Sequence, residues 1–158
     1  MLEIENVMET LINLSEEKYS SLEKIYELTK EQTSAINDEN INLLNEFIDK
    51  KQIEINTIQS LDIKFEKIVE DIKVVYGIKE LKDLNVCTEE VKRIPYIVDM
   101  IMKKVHQIHD IELKNSENLS HKKDELEGKM TDLKKGKKAV SKYGYNNLQV
   151  PVYFDKNS

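Results

Sequence analysis

Residues 41–76, INLLNEFIDKKQIEINTIQSLDIKFEKIVEDIKVVY, contain neither glycine nor proline and place apolar side chains at steps of three and four residues. Only a helix brings side chains at such steps onto one face. Gly77 directly follows, and glycine tolerates the positive φ that often ends a helix. We therefore predict a long helix that ends at Gly77. The apolar positions of its face are Ile41, Leu44, Ile48, Ile55, Ile58, Phe65, Val69, Ile72 and Tyr76.

The residues before this stretch repeat the same steps. Residues 37–40, Asn-Asp-Glu-Asn, carry short polar side chains that cap helices. Two long helices joined by such a corner pack antiparallel. The apolar face of the first helix includes Ile4, Met8, Leu11, Leu22, Ile25 and Ile36. Polar residues interrupt that face and predict an imperfect seam, namely Ser15, Lys18, Thr29 and Gln32.

A third apolar stripe follows a break in the pattern. Residues 78–94 predict a short helix or loop that crosses the end of the bundle, and Pro95 suits the first turn of the next helix. The stripe predicts a final helix over about residues 95–143. Its positions are Ile97, Ile101, Val105, Ile108, Ile111, Leu119, Leu126, Met130, Leu133, Val140 and Tyr143. The predicted fold class is all-α, an antiparallel bundle of three long helices plus a short connecting helix, forming one domain over residues 1–143.

The second half of the predicted final helix is sparse in apolar residues, and Gly128 and Gly136 weaken it by roughly 1 kcal/mol each. Residues 144–158 lose the helical period and predict an extended C-terminal tail. Three helices of unequal length leave an apolar groove along the third, which a partner's amphipathic helix would fill. The 78–94 segment, the tail or a second copy of the chain would close that groove equally well.

Composition excludes several classes of protein. The 158 residues include 4 glycines, 2 prolines and no tryptophan, which is too few turn residues for a sandwich, a barrel or a glycine-loop nucleotide fold. Residues 1–76 hold 17 acidic and 8 basic side chains, a net charge of −9. Residues 77–158 hold 13 acidic and 16 basic side chains, a net charge of +3. The acidic total of −6 argues against a nucleic-acid partner, because phosphate affinity needs concentrated Lys and Arg.

The sequence also bounds the compartment. Its first fifteen residues lack the basic segment and apolar run of a secretory signal, and no run approaches the roughly 18–20 apolar residues of a membrane span. The single cysteine, Cys87, cannot form an internal disulfide, which fits a reducing compartment. We expect a cytoplasmic protein without membrane insertion.

His106 and His109 are the strongest candidates for chemistry, because residues three apart share a helix face and Asp110 and Glu112 lie nearby. Di-iron sites in helical bundles use Glu-x-x-His, but Lys103 stands three residues before His106. We interpret these histidines as solvent-facing and expect no metal or other cofactor. Glycine-rich phosphate loops and nucleophile elbows are also absent from the sequence, so we expect no enzyme.

Three stretches of the sequence carry a family resemblance: the first helix from Leu11 to Leu28, residues 41–52 and above all residues 135–144, KGKKAVSKYG. With them the chain resembles the FlgN family of flagellar type III export chaperones over nearly its full length. The last stretch is similar to the segment that closes the final helix in that family. An aromatic residue and Asp-Lys follow it, here residues 154–156.

The resemblance implies binding without catalysis. Family members hold hook-associated proteins of the hook–filament junction unpolymerised, bind their terminal helical segment and deliver them to the export gate. The family's C-terminal region is implicated in binding, so the expected client contacts are Leu119, Leu126, Met130, Leu133, Val140 and Tyr143. Candidates for docking at the export gate are Tyr143, Tyr145 and Tyr153. The alternative is a structural coiled-coil protein without a client, whose seams are satisfied by self-association, for example as a homodimer.

Overall fold

The computed structural model describes residues 4–84, 89–123 and 125. Helix α1 spans Ile4–Asn37, helix α2 spans Ile41–Tyr76 and helix α3 spans Glu89–Lys123. A three-residue 3-10 helix, Leu81–Asp83, lies between α2 and α3. No strand occurs within these ranges, and the all-α class with three long helices is confirmed. The predicted continuation of the last helix to residue 143 and the predicted tail lie outside the described residues.

Most buried positions of the three helices follow alternating steps of three and four residues, the repeat of a coiled-coil seam. Five further buried residues of the described ranges lie beside this seam: Ile12, Ser21, Ala35, Leu61 and Ile97. The buried seam positions of α1 are Met8, Leu11, Ser15, Lys18, Leu22, Ile25, Thr29, Gln32 and Ile36. On α2 they are Leu44, Ile48, Lys51, Ile55, Ile58, Phe65, Val69 and Ile72. On α3 they are Ile94, Val98, Ile101, Val105, Ile108, Glu112, Asn115 and Leu119. The polar residues expected to interrupt the α1 face therefore occupy the seam itself and are buried in it.

Helix α1 is the central element of the bundle, since both α2 and α3 pack along it whereas backbone contacts between α2 and α3 are few. Side chains from all three helices nevertheless meet in one hydrophobic core. The corner between α1 and α2 is short, and the Asn40 side chain accepts a hydrogen bond of 3.0 Å from the Leu43 N–H. This N-cap and the antiparallel hairpin confirm the predicted corner.

Helix α2 ends as the sequence predicts. Gly77 adopts a left-handed conformation with φ +63°, and its N–H donates to the Lys73 carbonyl oxygen. A Cβ at this position would meet nothing within 4 Å, so the backbone conformation alone favours glycine. Beyond it, the Glu80 N–H donates to Asp83 Oδ2 at 3.2 Å and Leu81 is buried.

The start of α3 differs from the prediction. The helix begins at Glu89 rather than at Pro95, and Pro95 lies inside it. Proline lacks the N–H that a helix interior needs, at a cost of about 3 kcal/mol. The Pro95 ring faces solvent, whereas its neighbours Ile94, Ile97 and Val98 are buried. We attribute the continuous helix to this burial, which offsets the lost hydrogen bond.

Candidate functional site

Leu119 is the only expected client contact among the described residues. It is 2% exposed and lies beside Ala35 and Ile36 of α1 and Leu44 of α2. Leu119 therefore belongs to the bundle core and is covered in the free chain. The other expected contacts and gate-docking residues lie outside the described residues: Leu126, Met130, Leu133, Val140, Tyr143, Tyr145 and Tyr153.

The end of α3 is held at the corner between α1 and α2. Asn118 Nδ2 donates to Asn37 Oδ1 at 2.8 Å, and Lys122 Nζ lies 3.3 Å from Glu39 Oε1. Glu39 itself has a positive φ of 57°, so its backbone turns the corner while its carboxylate meets α3. In the closed bundle the end of α3 is therefore held at this corner by side-chain contacts with α1 and with the corner itself.

A polar layer crosses the core between Ile108 and Leu119 of α3. The Lys51 side chain of α2 is fully buried, and its Nζ donates to Gln32 Oε1 of α1 at 2.9 Å and to Glu112 Oε1 of α3 at 2.8 Å. Gln32 Nε2 and Glu112 Oε2 are buried without a hydrogen-bond partner. We call Gln32, Lys51 and Glu112 the lysine layer. It ties all three helices together through one ammonium group.

A second polar layer lies one turn further along α3. Asn115 Nδ2 donates to the Thr29 carbonyl oxygen at 3.2 Å, and Thr33 Oγ1 donates to Asn115 Oδ1 at 2.6 Å. The Thr29 hydroxyl donates to the Ile25 carbonyl oxygen at 2.6 Å. We call Thr29, Thr33 and Asn115 the asparagine layer. Two successive seam positions of α3 are thus filled by polar side chains.

Burial shifts the titration of both charged members of the lysine layer. Removal from water lowers the pKa of Lys51 and raises the pKa of Glu112, and the attraction between the two charges opposes both shifts. Because the pKa of Glu112 is raised, its contribution to stability is complete at a pH below its unfolded-state pKa and is lost as the pH rises through its folded-state pKa. Because the pKa of Lys51 is lowered, its contribution is complete at a pH above its unfolded-state pKa and is lost as the pH falls through its folded-state pKa. Relative to unshifted groups, Glu112 therefore favours the fold towards acid and Lys51 favours it towards alkali, and the layer stabilises the fold least between these two titrations.

The prediction missed the lysine layer because it placed Ile111 on the apolar stripe and considered Glu112 only as a neighbour of the histidines. In the structure Ile111 is half-buried and Glu112 is 4% exposed. The step of four from Ile108 to Glu112 continues the alternation of the seam, which is the signal that identifies Glu112 in the sequence. Its partner Lys51 lies at a step of three from Ile48 on α2.

A separate ion pair fixes α1 against α2 in the other half of the bundle. Lys18 is 3% exposed, and its Nζ lies 2.8 Å from Asp62 Oδ1. Leu14, Phe65, Val98 and Ile101 are among the neighbours of this pair. The Lys18–Asp62 pair is therefore a third polar interruption of the seam, remote in sequence from the lysine layer.

The histidine pair shows no metal-binding constellation. His106 is exposed and His109 is half-buried. No group of three or more His, Cys, Asp or Glu side chains in residues 4–84, 89–123 and 125 is placed to hold a metal ion. Over the same part of the chain, none of the helices has the length and apolar character needed to cross a membrane.

Exposed apolar side chains on the bundle comprise Val74, Val75 and Tyr76 at the end of α2 and single residues elsewhere, among them Ile53 and Ile63. Ile53 and Leu28 lie in an open groove of about 530 Å³ between α1 and α2, beside Glu27, Lys50 and Glu54. Ile53 is 65% exposed and Ile63 is 68% exposed. These isoleucines offer exposed positions that can be changed without touching the core.

Comparison with known families decides the relationship of the chain. The model of the FlgN protein family matches residues 1–147. The chain belongs to the FlgN family. The match includes all three helices of the bundle and extends beyond Lys123 through most of the expected client contacts. FlgN proteins are flagellar export chaperones rather than enzymes, and membership supports a role of that kind for this chain. No curated protein and no solved structure matches the chain significantly.

Proposed function

We propose that this FlgN-family chain is a cytoplasmic chaperone that binds the terminal helical segment of a hook-associated protein and delivers it to the flagellar export gate. The client segment binds to residues 126–143. Bound there, it is withheld from premature assembly at the hook–filament junction. The proposal requires no catalysis and no cofactor.

The observation that carries the proposal is that the three described helices fill their own seam. The buried apolar side chains of α1, α2 and α3 form one cluster, so this part of the chain offers no open seam to a fourth helix. The next apolar positions in the sequence are Leu126, Met130 and Leu133, at steps of four and three residues. Such steps suit a helix that pairs with another amphipathic helix.

Two further features support this location. The contacts of Asn118 and Lys122 hold the end of α3 at the α1–α2 corner in the closed bundle, close in sequence to the proposed binding segment. The segment also carries Lys134, Lys135, Lys137, Lys138 and Lys142, whose charge steers acidic client surfaces towards it at long range. Leu119 is not part of the binding surface of the closed bundle, because the core covers it.

The test is co-purification of the full-length chain with a co-expressed hook-associated protein. Leu126→Asp combined with Leu133→Asp should abolish the complex while circular dichroism shows unchanged helicity. The matched control is Ile53→Asp combined with Ile63→Asp, which adds the same charge at exposed positions of the bundle and should leave the complex intact. If the first variant keeps its client, or if only the control loses it, the client binds elsewhere.

Size-exclusion chromatography with light scattering separates this proposal from self-association. If the Leu126→Asp and Leu133→Asp variant changes from oligomer to monomer and still binds its client, the apolar positions serve contacts between copies of the chain. If no hook-associated protein binds the unaltered chain, the chaperone proposal is wrong.

Docking at the export gate is assigned to the tyrosines, because each combines an apolar ring with a hydroxyl group. Tyr143→Ala, Tyr145→Ala and Tyr153→Ala should be compared for capture of the chaperone–client complex by the cytoplasmic part of the gate. At least one should weaken capture without weakening client binding. Equal capture by all three variants contradicts the assignment.

A further inference from the structure

The last part of α3 is attached to the bundle differently from the rest of the helix. Five consecutive seam positions of α3 are apolar and buried: Ile94, Val98, Ile101, Val105 and Ile108. The next positions are Glu112, Asn115, Leu119 and Lys122, of which only Leu119 is apolar. We call residues 112–123 the distal section of α3. It gains little from apolar burial compared with the section before it.

The lysine layer adds a cost that opening of the distal section would relieve. Lys51 is a buried charge, and Gln32 Nε2 and Glu112 Oε2 are buried without partners. Opening the section returns Glu112 to water and gives water access to Lys51 and Gln32. Because an unpaired buried polar group opposes the closed state, the free energy that holds the section closed is small.

Opening also changes which apolar surface is exposed. Leu119 packs beside Ile36 of α1 and Leu44 of α2, close to the α1–α2 corner. When the distal section leaves the bundle, these three side chains reach solvent together. They adjoin the point where the proposed client-binding residues begin.

We propose that the distal section of α3 opens as a separate cooperative unit, and that its opening uncovers Ile36, Leu44 and Leu119 for the client's amphipathic helix. The second part rests on the proposed chaperone function, whereas the opening itself does not. The buried polar layers thus set the fraction of molecules that can bind. The apparent affinity for a client that selects the open state equals the affinity of that state multiplied by the fraction of molecules that are open.

Hydrogen exchange of the full-length free chain tests the opening. Amides of residues 112–123 should share one low protection factor, with a step to higher protection between Glu112 and Ile108. A helix that only frays loses protection gradually from its end, without a step. Gradual loss, or equal protection on both sides of Glu112, overturns the proposal.

Replacing the lysine layer tests the cause. Lys51→Met, Glu112→Leu and Gln32→Leu together should raise protection of the distal section by about tenfold or more, because apolar replacement of a buried ion pair is commonly stabilising. The matched control, Lys18→Met with Asp62→Leu, removes the ion pair remote from the section and should leave the step in place. If the first variant fails to fold, a second variant takes its place: Asn115→Leu with Thr29→Val should also raise protection of the distal section. Unchanged protection in every folded variant of the two layers overturns the proposal.

Client affinity tests the consequence. The variant with Lys51→Met, Glu112→Leu and Gln32→Leu should bind the hook-associated protein more weakly than the unaltered chain does. The factor by which its affinity falls should equal the factor by which the protection of its distal section rises. Unchanged affinity alongside a lost step overturns the link to the client. If no client binds the unaltered chain, the chaperone function fails, and the exchange step still decides whether the section opens.

Discussion

Ile108→Ala measures how strongly α3 is held by the apolar seam. The Ile108 side chain is fully buried, and the substitution removes three carbon atoms from it. At about 0.8 kcal/mol for each buried methylene-sized group, the lost transfer free energy is roughly 2.4 kcal/mol. The cavity left behind adds to this loss, while the better helix propensity of alanine offsets roughly 0.5 kcal/mol. We expect the free energy of unfolding to fall by about 3 kcal/mol.

Urea unfolding followed by far-ultraviolet circular dichroism measures this change, and thermal unfolding should show a midpoint lower by roughly 6–12 °C for a chain of this size. Ile53→Ala is the matched control, because it removes the same atoms from a side chain that is 65% exposed. It should change stability by less than about 0.5 kcal/mol, since the helix propensity of alanine compensates for the small loss of burial.

The contrast between the two isoleucines decides the result. If Ile108→Ala costs less than about 1 kcal/mol, the site does not have the packing of a filled core. If both substitutions cost the same, burial in the three-helix seam does not determine the stability of these positions. Either result refutes the assignment of α3 to the bundle core.

Three other substitutions give independent checks. Lys51→Met combined with Glu112→Leu should gain most stability over the unaltered chain in the middle of the pH range and less towards acid and alkali. The reason is that the raised pKa of Glu112 favours the native fold at low pH and the lowered pKa of Lys51 favours it at high pH. Urea midpoints of both proteins over roughly pH 5 to 10 measure this difference. Asn40→Ala should cost about 1 kcal/mol by removing the N-cap of α2, whereas Asn42→Ala, at an exposed helix position, should not destabilise. Gly77→Ala should cost about 1 kcal/mol in urea unfolding, because alanine resists the left-handed conformation there.

The helices and their ends could be predicted because the signals are local. The corner at Asn40 depends on a side chain three residues from its hydrogen-bond partner, and the end at Gly77 depends on the φ of one residue. The apolar steps of α2 identify the buried face without knowledge of the other helices. Such features are readable from a single stretch of sequence.

The start of α3 and the identity of its buried face depend on tertiary contacts. Pro95 is locally a first-turn residue, and only the burial of Ile94 and Val98 explains why the helix continues through it. Glu112 is locally a polar residue, and its place in the core depends on Lys51 of another helix. The pattern within one stretch of sequence could not supply these contacts between helices. The expected client contacts from residue 126 onward lie outside the described residues.

The lysine layer also explains how α3 finds one position along the bundle. An apolar seam with a regular repeat permits a shift of one heptad with little change in the type of contact. A shift of seven residues in either direction would place Val105 or Leu119 where Glu112 now meets Lys51. The lysine would then be buried against an aliphatic side chain without its counter-charge, at a cost of several kcal/mol.

The Lys18–Asp62 pair applies the same constraint to α1 and α2. A shift of one heptad would exchange Asp62 for Ile55 or Val69, both of which are buried and apolar. Because Lys18 is itself 3% exposed, it would lose its partner without gaining water. The two ion pairs lie in different halves of the bundle and act on different pairs of helices, so each excludes shifts that the other permits. Polar residues that weaken the seam locally therefore restrict the bundle to one register, which determines where the end of α3 meets the α1–α2 corner.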